Sequence, residues 1–132
     1  MIGAARKQAV LNHITAGRPY TPAGKSIVAV GTTKVHVRYV SRPAPASRRY
    51  AYNINPNTLR ADYELWICGD RDGWYLFPID VIRGIYGDPA AYTDARHPDL
   101  RVASVDVRSD QVTFGAGGKG LSAAAYRDAV LP

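Results

Sequence analysis

The sequence predicts a mixed α/β fold, a central β-sheet flanked by helices, as one domain over residues 1–132. Two observations predict it. The chain is 132 residues long and 46% apolar, enough to bury one continuous core without disulfides. Short runs rich in Val, Ile, Tyr and Trp also alternate with Gly and Asp turn clusters, and segments of helical period stand before, between and after them.

Residues 3–16 read as the first helix, with Val10, Leu11 and Ile14 on one side and Gly17 at its stop. Pro19 and Pro22 then break the chain. Residues 26–30 and 35–40 form a β-hairpin around Gly31-Thr32-Thr33, the second strand alternating as Val35-His36-Val37-Arg38-Tyr39-Val40. Residues 41–57 hold Pro43, Pro45, Ser47, Pro56 and the Arg48-Arg49 pair, and read as a basic loop carrying a strand at 50–54. A second hairpin pairs 63–68 with 74–78 across Gly69-Asp70-Arg71-Asp72-Gly73. A helix follows over 80–86. A third hairpin pairs 101–107 with 111–114, and after a glycine-rich turn a last helix starts at Ser122 as N-cap.

Charge is distributed unevenly. Residues 1–61 carry ten Lys or Arg and no Asp or Glu, whereas residues 62–132 carry seven bases against eleven acids. A face that gathers the first set attracts polyanions, so DNA or structured RNA is the expected partner; the bland alternative is a solvated surface balanced in space. No run approaches the length of a membrane span, and the basic N-terminus lacks the apolar stretch of a secretory signal. The one cysteine, Cys68, excludes an intrachain disulfide and fits a cytoplasmic setting.

Residues 63–80, two apolar strands closing on Tyr75-Leu76-Phe77-Pro78, resemble the PD-(D/E)XK nuclease superfamily, in particular its small homing-endonuclease and resolvase-like branch. The likeness extends over roughly residues 3–82 and implies a restriction-endonuclease-like fold. It also implies a Glu on the first helix, an Asp on one strand of the first hairpin and a Glu/Gln-x-Lys string on the next. This sequence instead has Arg6 or Lys7, then Ser26, then His36-Val37-Arg38 at those places. Mg²⁺ takes oxygen ligands and usually one or two carboxylates. The expected protein therefore binds nucleic acid without cutting it and needs no cofactor. Related nucleases work as dimers or larger assemblies, which implies a homo-oligomer.

His36 and Arg38 share one face of their strand, where beside Ser26 they suit a phosphate. The expected interface comprises Lys34, His36, Arg38, Arg42, Arg48, Arg49, Tyr50 and Tyr52, guanidinium groups on phosphates with aromatic faces on unpaired bases. The alternative buries the tyrosines and leaves the arginines as solubilising charge. Weaker catalytic candidates are His36, as the general base of a metal-independent RNase, and Asp62, Glu64 and Asp80, as relocated Mg²⁺ ligands of an active endonuclease. A third reading is a protein-interaction module that docks an acidic partner or a second copy head to tail. Gly115-Ala116-Gly117-Gly118-Lys119-Gly120 matches G-x-G-x-x-G, but with only twelve residues after it no dinucleotide-binding unit follows, and it reads as a turn.

Overall fold

A computed structural model of the chain describes residues 2–43 and 48–132. It is mixed α/β, with two helices and two five-stranded sheets among the described residues. Helix α1 (Ile2–Ile14) is followed by β1 (Thr21–Gly24), β2 (Ile27–Val30) and β3 (Thr33–Val40). Then come β4 (Arg49–Ile54), β5 (Tyr63–Cys68), β6 (Trp74–Pro78) and α2 (Ile79–Tyr86). The chain continues through β7 (Tyr92–Thr93), β8 (Arg101–Asp106), β9 (Gln111–Gly115) and β10 (Lys119–Ser122).

The first sheet has the order β1-β2-β3-β5-β6 and the second β10-β9-β8-β4, with β7 also on β8. All pairings are antiparallel except β3 with β5, which run parallel and set His36 opposite Glu64 and Arg38 opposite Trp66. Two cores follow from that arrangement. Val10, Leu11 and Ile14 of α1 pack on Val35, Val37, Leu65, Ile67 and Leu76, one face of the first sheet. The opposite face presents Trp66, Cys68, Tyr75 and Phe77 to Tyr50, Tyr52 and Ile54 of β4, to Val105 and Val112, and to Ile82, Ile85 and Tyr86 of α2. Buried on both faces, β5 reads as a nearly unbroken apolar run, which is the pattern of a central parallel strand.

Three expectations need correction. The strand at 50–54 does not extend the central sheet but begins a second one, so the first sheet is covered by α1 on one side and by a sheet plus α2 on the other. Thr21–Gly24 is a strand despite Pro22, which is tolerated because β1 is an edge with a register shift between Pro22 and Gly24. The C-terminal helix is absent: residues 119–122 pair with β9, and only a 3-10 turn follows at Ala124–Tyr126. Ser122 is not an N-cap: the cap of that turn is Ala123, and Ser122 Oγ only accepts from Ala124 N–H at 3.3 Å. Gly120 fixes this outcome, because a Cβ there would lie 2.1 Å from the Val112 carbonyl oxygen. Part of the predicted basic loop, residues 44–47, lies outside the described residues. Among those described, no helix is long and apolar enough to cross a membrane.

Candidate functional site

Strand β3 is central in its sheet, so the face that carries His36 and Arg38 looks into the space between the two sheets and is not the solvated face of an edge. Glu64, in register with His36, points into the same space and is fully buried. Arg38 Nε donates to Glu64 Oε1 at 2.6 Å, and Arg38 Nη2 lies 3.2 Å from His36 Nδ1. The side chains of His36 and Arg38 are 13% and 20% exposed, so this is an ion pair at the floor of a cleft rather than on a surface. The second carboxylate oxygen, Oε2, is 3.3 Å from His36 Nδ1 but is not aligned for a hydrogen bond, and remains unpartnered. A guanidinium only donates. The Arg38 contact is therefore a hydrogen bond only when Nδ1 is bare, which places the proton of neutral His36 on Nε2. In that form the ring offers a donor and not a base.

Above this floor the first sheet forks. Strand β2 starts at Ile27, opposite His36, while β3 runs on to Val40. Val37 N–H donates to the Ser26 carbonyl at 2.8 Å, and the strand period of two turns Tyr39 N–H toward the same open side. Ser26 occupies the crotch of the fork with a left-handed backbone, φ 59°. A cleft of about 480 Å³ opens there, lined by Lys25, Ser26, Ile27, His36, Arg38, Thr58 and Arg60. A neighbouring groove shares Ser26, His36 and Arg38 and adds Lys7 from α1, Tyr39, and Ala51 and Asn53 from β4. Neither lining contains an Asp or Glu. Among the described residues Lys7, Lys25 and Arg60 form no ion pair, and the one acid beneath them is already engaged by Arg38. The cleft carries a surplus of cations together with the hydroxyl of Ser26, a donor set that suits a phosphate.

Of the other expected residues, Tyr52 borders the second groove and the rest lie elsewhere. Tyr50 and Tyr52 are 3% exposed and belong to the core, which removes them as stacking platforms. The Tyr52 ring stacks on Trp66 at 4.3 Å, its hydroxyl donating to the Ile67 carbonyl at 2.7 Å. The Tyr50 hydroxyl donates to Asp72 Oδ2 at 2.5 Å, and burial first, that hydrogen bond second, push it well above the ordinary phenol range. Asp72 also pairs with Arg48, so Arg48 is neutralised where Arg42 and Arg49 stay exposed. Lys34 is exposed on β3, and its N–H donates to Asp62 Oδ2 at 2.8 Å. Asp62 is thus spent on the backbone, and Asp80 lies exposed in the first turn of α2. Asp62, Glu64 and Asp80 do not gather: among the described residues no group of three His, Cys, Asp or Glu is placed to hold a metal ion. Sequence reasoning passed over Lys25, Thr58 and Arg60. Glu64, weighed there as a weaker, relocated metal ligand, heads the apolar run Leu65-Trp66-Ile67-Cys68, and an acid in that place is itself a signal that a buried cation must face it.

Comparison with protein-family models, curated proteins and solved structures yields no match to this chain.

Proposed function

We propose that this chain is a restriction-endonuclease-like protein that binds the phosphodiester backbone of DNA or structured RNA at the fork and does not cut it. The observation that carries the reading is a convergence. Lys7, Ser26, His36 and Arg38 occupy the positions where the PD-(D/E)XK resemblance sets catalytic residues, and all four line one groove. They come from one helix, one turn and one strand, so local spacing accounts for the His36–Arg38 pair but not for its meeting with Lys7 and Ser26.

The chemistry at those positions supports binding over cleavage. A hard cation needs carboxylate oxygens, and the single buried carboxylate has its charge matched by Arg38. His36 in its Nε2–H form donates to a phosphate oxygen as Lys25 and Arg60 do. The connection between β3 and β5 runs through β4 and a 3-10 turn (Pro56–Thr58), and so brings Thr58, Arg60 and Asn53 to the rim.

Fluorescence anisotropy of labelled duplex DNA and a labelled RNA hairpin, at about 50 mM and about 200 mM salt, tests the proposal. Affinity is expected to fall steeply with salt. The double variant Lys25→Ala/Arg60→Ala should reduce the slope of log K against log salt by about 2, roughly 0.9 for each lost phosphate contact. Absence of binding to both nucleic acids at the lower salt would refute it and direct the search to a protein partner.

A further inference from the structure

The fork has a third branch. Between α1 and the β1–β2 hairpin lies an apolar groove of about 250 Å³ walled by Leu11, Pro22, Ile27, Val28 and Val37, and its only charged lining residue is Lys7. It meets the two cationic grooves at Ser26, which lines all three, and Lys7 is shared with the groove that follows the open edge of β3. An apolar slot joined to a phosphate-binding cleft fits an amphiphile whose anionic and flat apolar parts are one linkage apart. A nucleotide has that form.

Resting on the backbone-binding reading above, we infer that the apolar groove receives one unpaired base from the strand whose phosphates lie in the cationic cleft. The protein then prefers a nucleic acid with an unpaired nucleotide, such as a single-base bulge, over a perfect duplex. Volume supports a single ring system, since about 250 Å³ falls below the range that encloses a drug-sized ligand. Apart from Ser26 and Lys7, which join it to the cationic grooves, the walls of Leu, Ile, Val and Pro carry no side-chain donor or acceptor to read a base edge, so the preference is for an extruded base with little regard to identity. Lys7 at the mouth lies where a flanking phosphate would pass. Tyr50 and Tyr52 are buried and do not substitute for the slot.

The test compares three labelled duplexes at fixed salt: fully paired, carrying a single-nucleotide bulge, and carrying the same bulge with an abasic nucleotide. The bulge should bind roughly tenfold more tightly than the paired duplex, and the abasic bulge should lose most of that gain, as expected when one base is buried on an apolar surface. Val28→Gln, which sets a polar side chain in the wall at a residue that lines neither cationic groove, should abolish the difference between bulged and abasic DNA while paired-duplex affinity changes little. The abasic comparison uses unaltered protein and so stands even where that variant folds poorly. Equal affinity for the bulged and abasic duplexes overturns the inference and leaves DNA flexibility as the source of any preference. Salt-sensitive binding to all three duplexes with equal affinity refutes the base slot alone; binding to none refutes the backbone reading beneath it.

Discussion

Replacing Arg38 by Met keeps the length of the side chain and removes the cation that faces Glu64. In the native protein Arg38 Nε donates to Glu64 Oε1 at 2.6 Å, and the carboxylate is completely buried. The substitution strands it. Its nearest remaining polar neighbour is His36 Nδ1, 3.3 Å from the other oxygen and poorly aligned. Breaking a buried ion pair on one side costs about 3–5 kcal/mol, and the 20% exposure of Arg38 admits some water, so about 3 kcal/mol is expected. For a chain of this length that lowers Tm by about 10 °C. Urea unfolding followed by the fluorescence of Trp66 and Trp74, both buried, measures it. Adding Glu64→Leu removes the stranded charge, and the double variant should regain most of the loss. A cost below about 1 kcal/mol for Arg38→Met, or a double variant no more stable than the single one, would refute the reasoning.

Three further outcomes follow from the packing. Cys68 has its thiol pushed up to about 12 by burial, against a lowering contact with the Tyr52 hydroxyl, so a thiol-specific disulfide reagent at neutral pH should react only as fast as the chain unfolds. Tyr50→Leu should lower stability by about 2–4 kcal/mol by removing a buried ring and its hydroxyl bond to Asp72, while the nucleic-acid affinity of the folded fraction stays unchanged. Burial raises the Asp110 carboxyl, but hydrogen bonds from Tyr75 and Arg127 outweigh it and hold the group below its ordinary value. The stability it contributes is present above the unfolded-state value of about 4 and lost as pH falls through the lower folded value. Asp110→Asn should accordingly flatten the acid limb of a stability–pH profile, and an unchanged limb would place the acid sensitivity elsewhere.

Elements with a local cause were legible. The alternation of Val35 to Val40, the Gly69 to Gly73 turn and the apolar spacing of α2 each decide their own conformation, and the structure has a strand, a hairpin and a helix there. Elements decided by distant partners were not. Alternation in Tyr50 to Ile54 establishes a strand but not the sheet it joins, and only its pairing with β8 does so. Ser122 to Tyr126 has helical propensity, yet beyond it Asp128 N–H donates to the Trp74 carbonyl and Leu131 N–H to the Ile14 carbonyl, which holds the segment extended against β6 and α1. The site divides the same way. The common face of His36 and Arg38 could be read from the period of two, whereas Glu64 as their counter-charge required the parallel pairing of β3 with β5. Lys25 and Arg60 required the fork.

That parallel pairing has a kinetic side. Arg38 and Glu64 are 26 residues apart in the chain, and the strands that carry them meet only after the whole connection through β4 is laid across the sheet. Hairpins such as β5–β6 close over short turns and can form early, whereas a parallel contact must pay its loop-closure entropy before any pairing rewards it. The proposed phosphate site is therefore completed by a non-local contact, and a chain that has both hairpins but not this contact lacks it. Polyanion binding at the proposed site would read out a finished fold, and a bound phosphate would oppose unfolding.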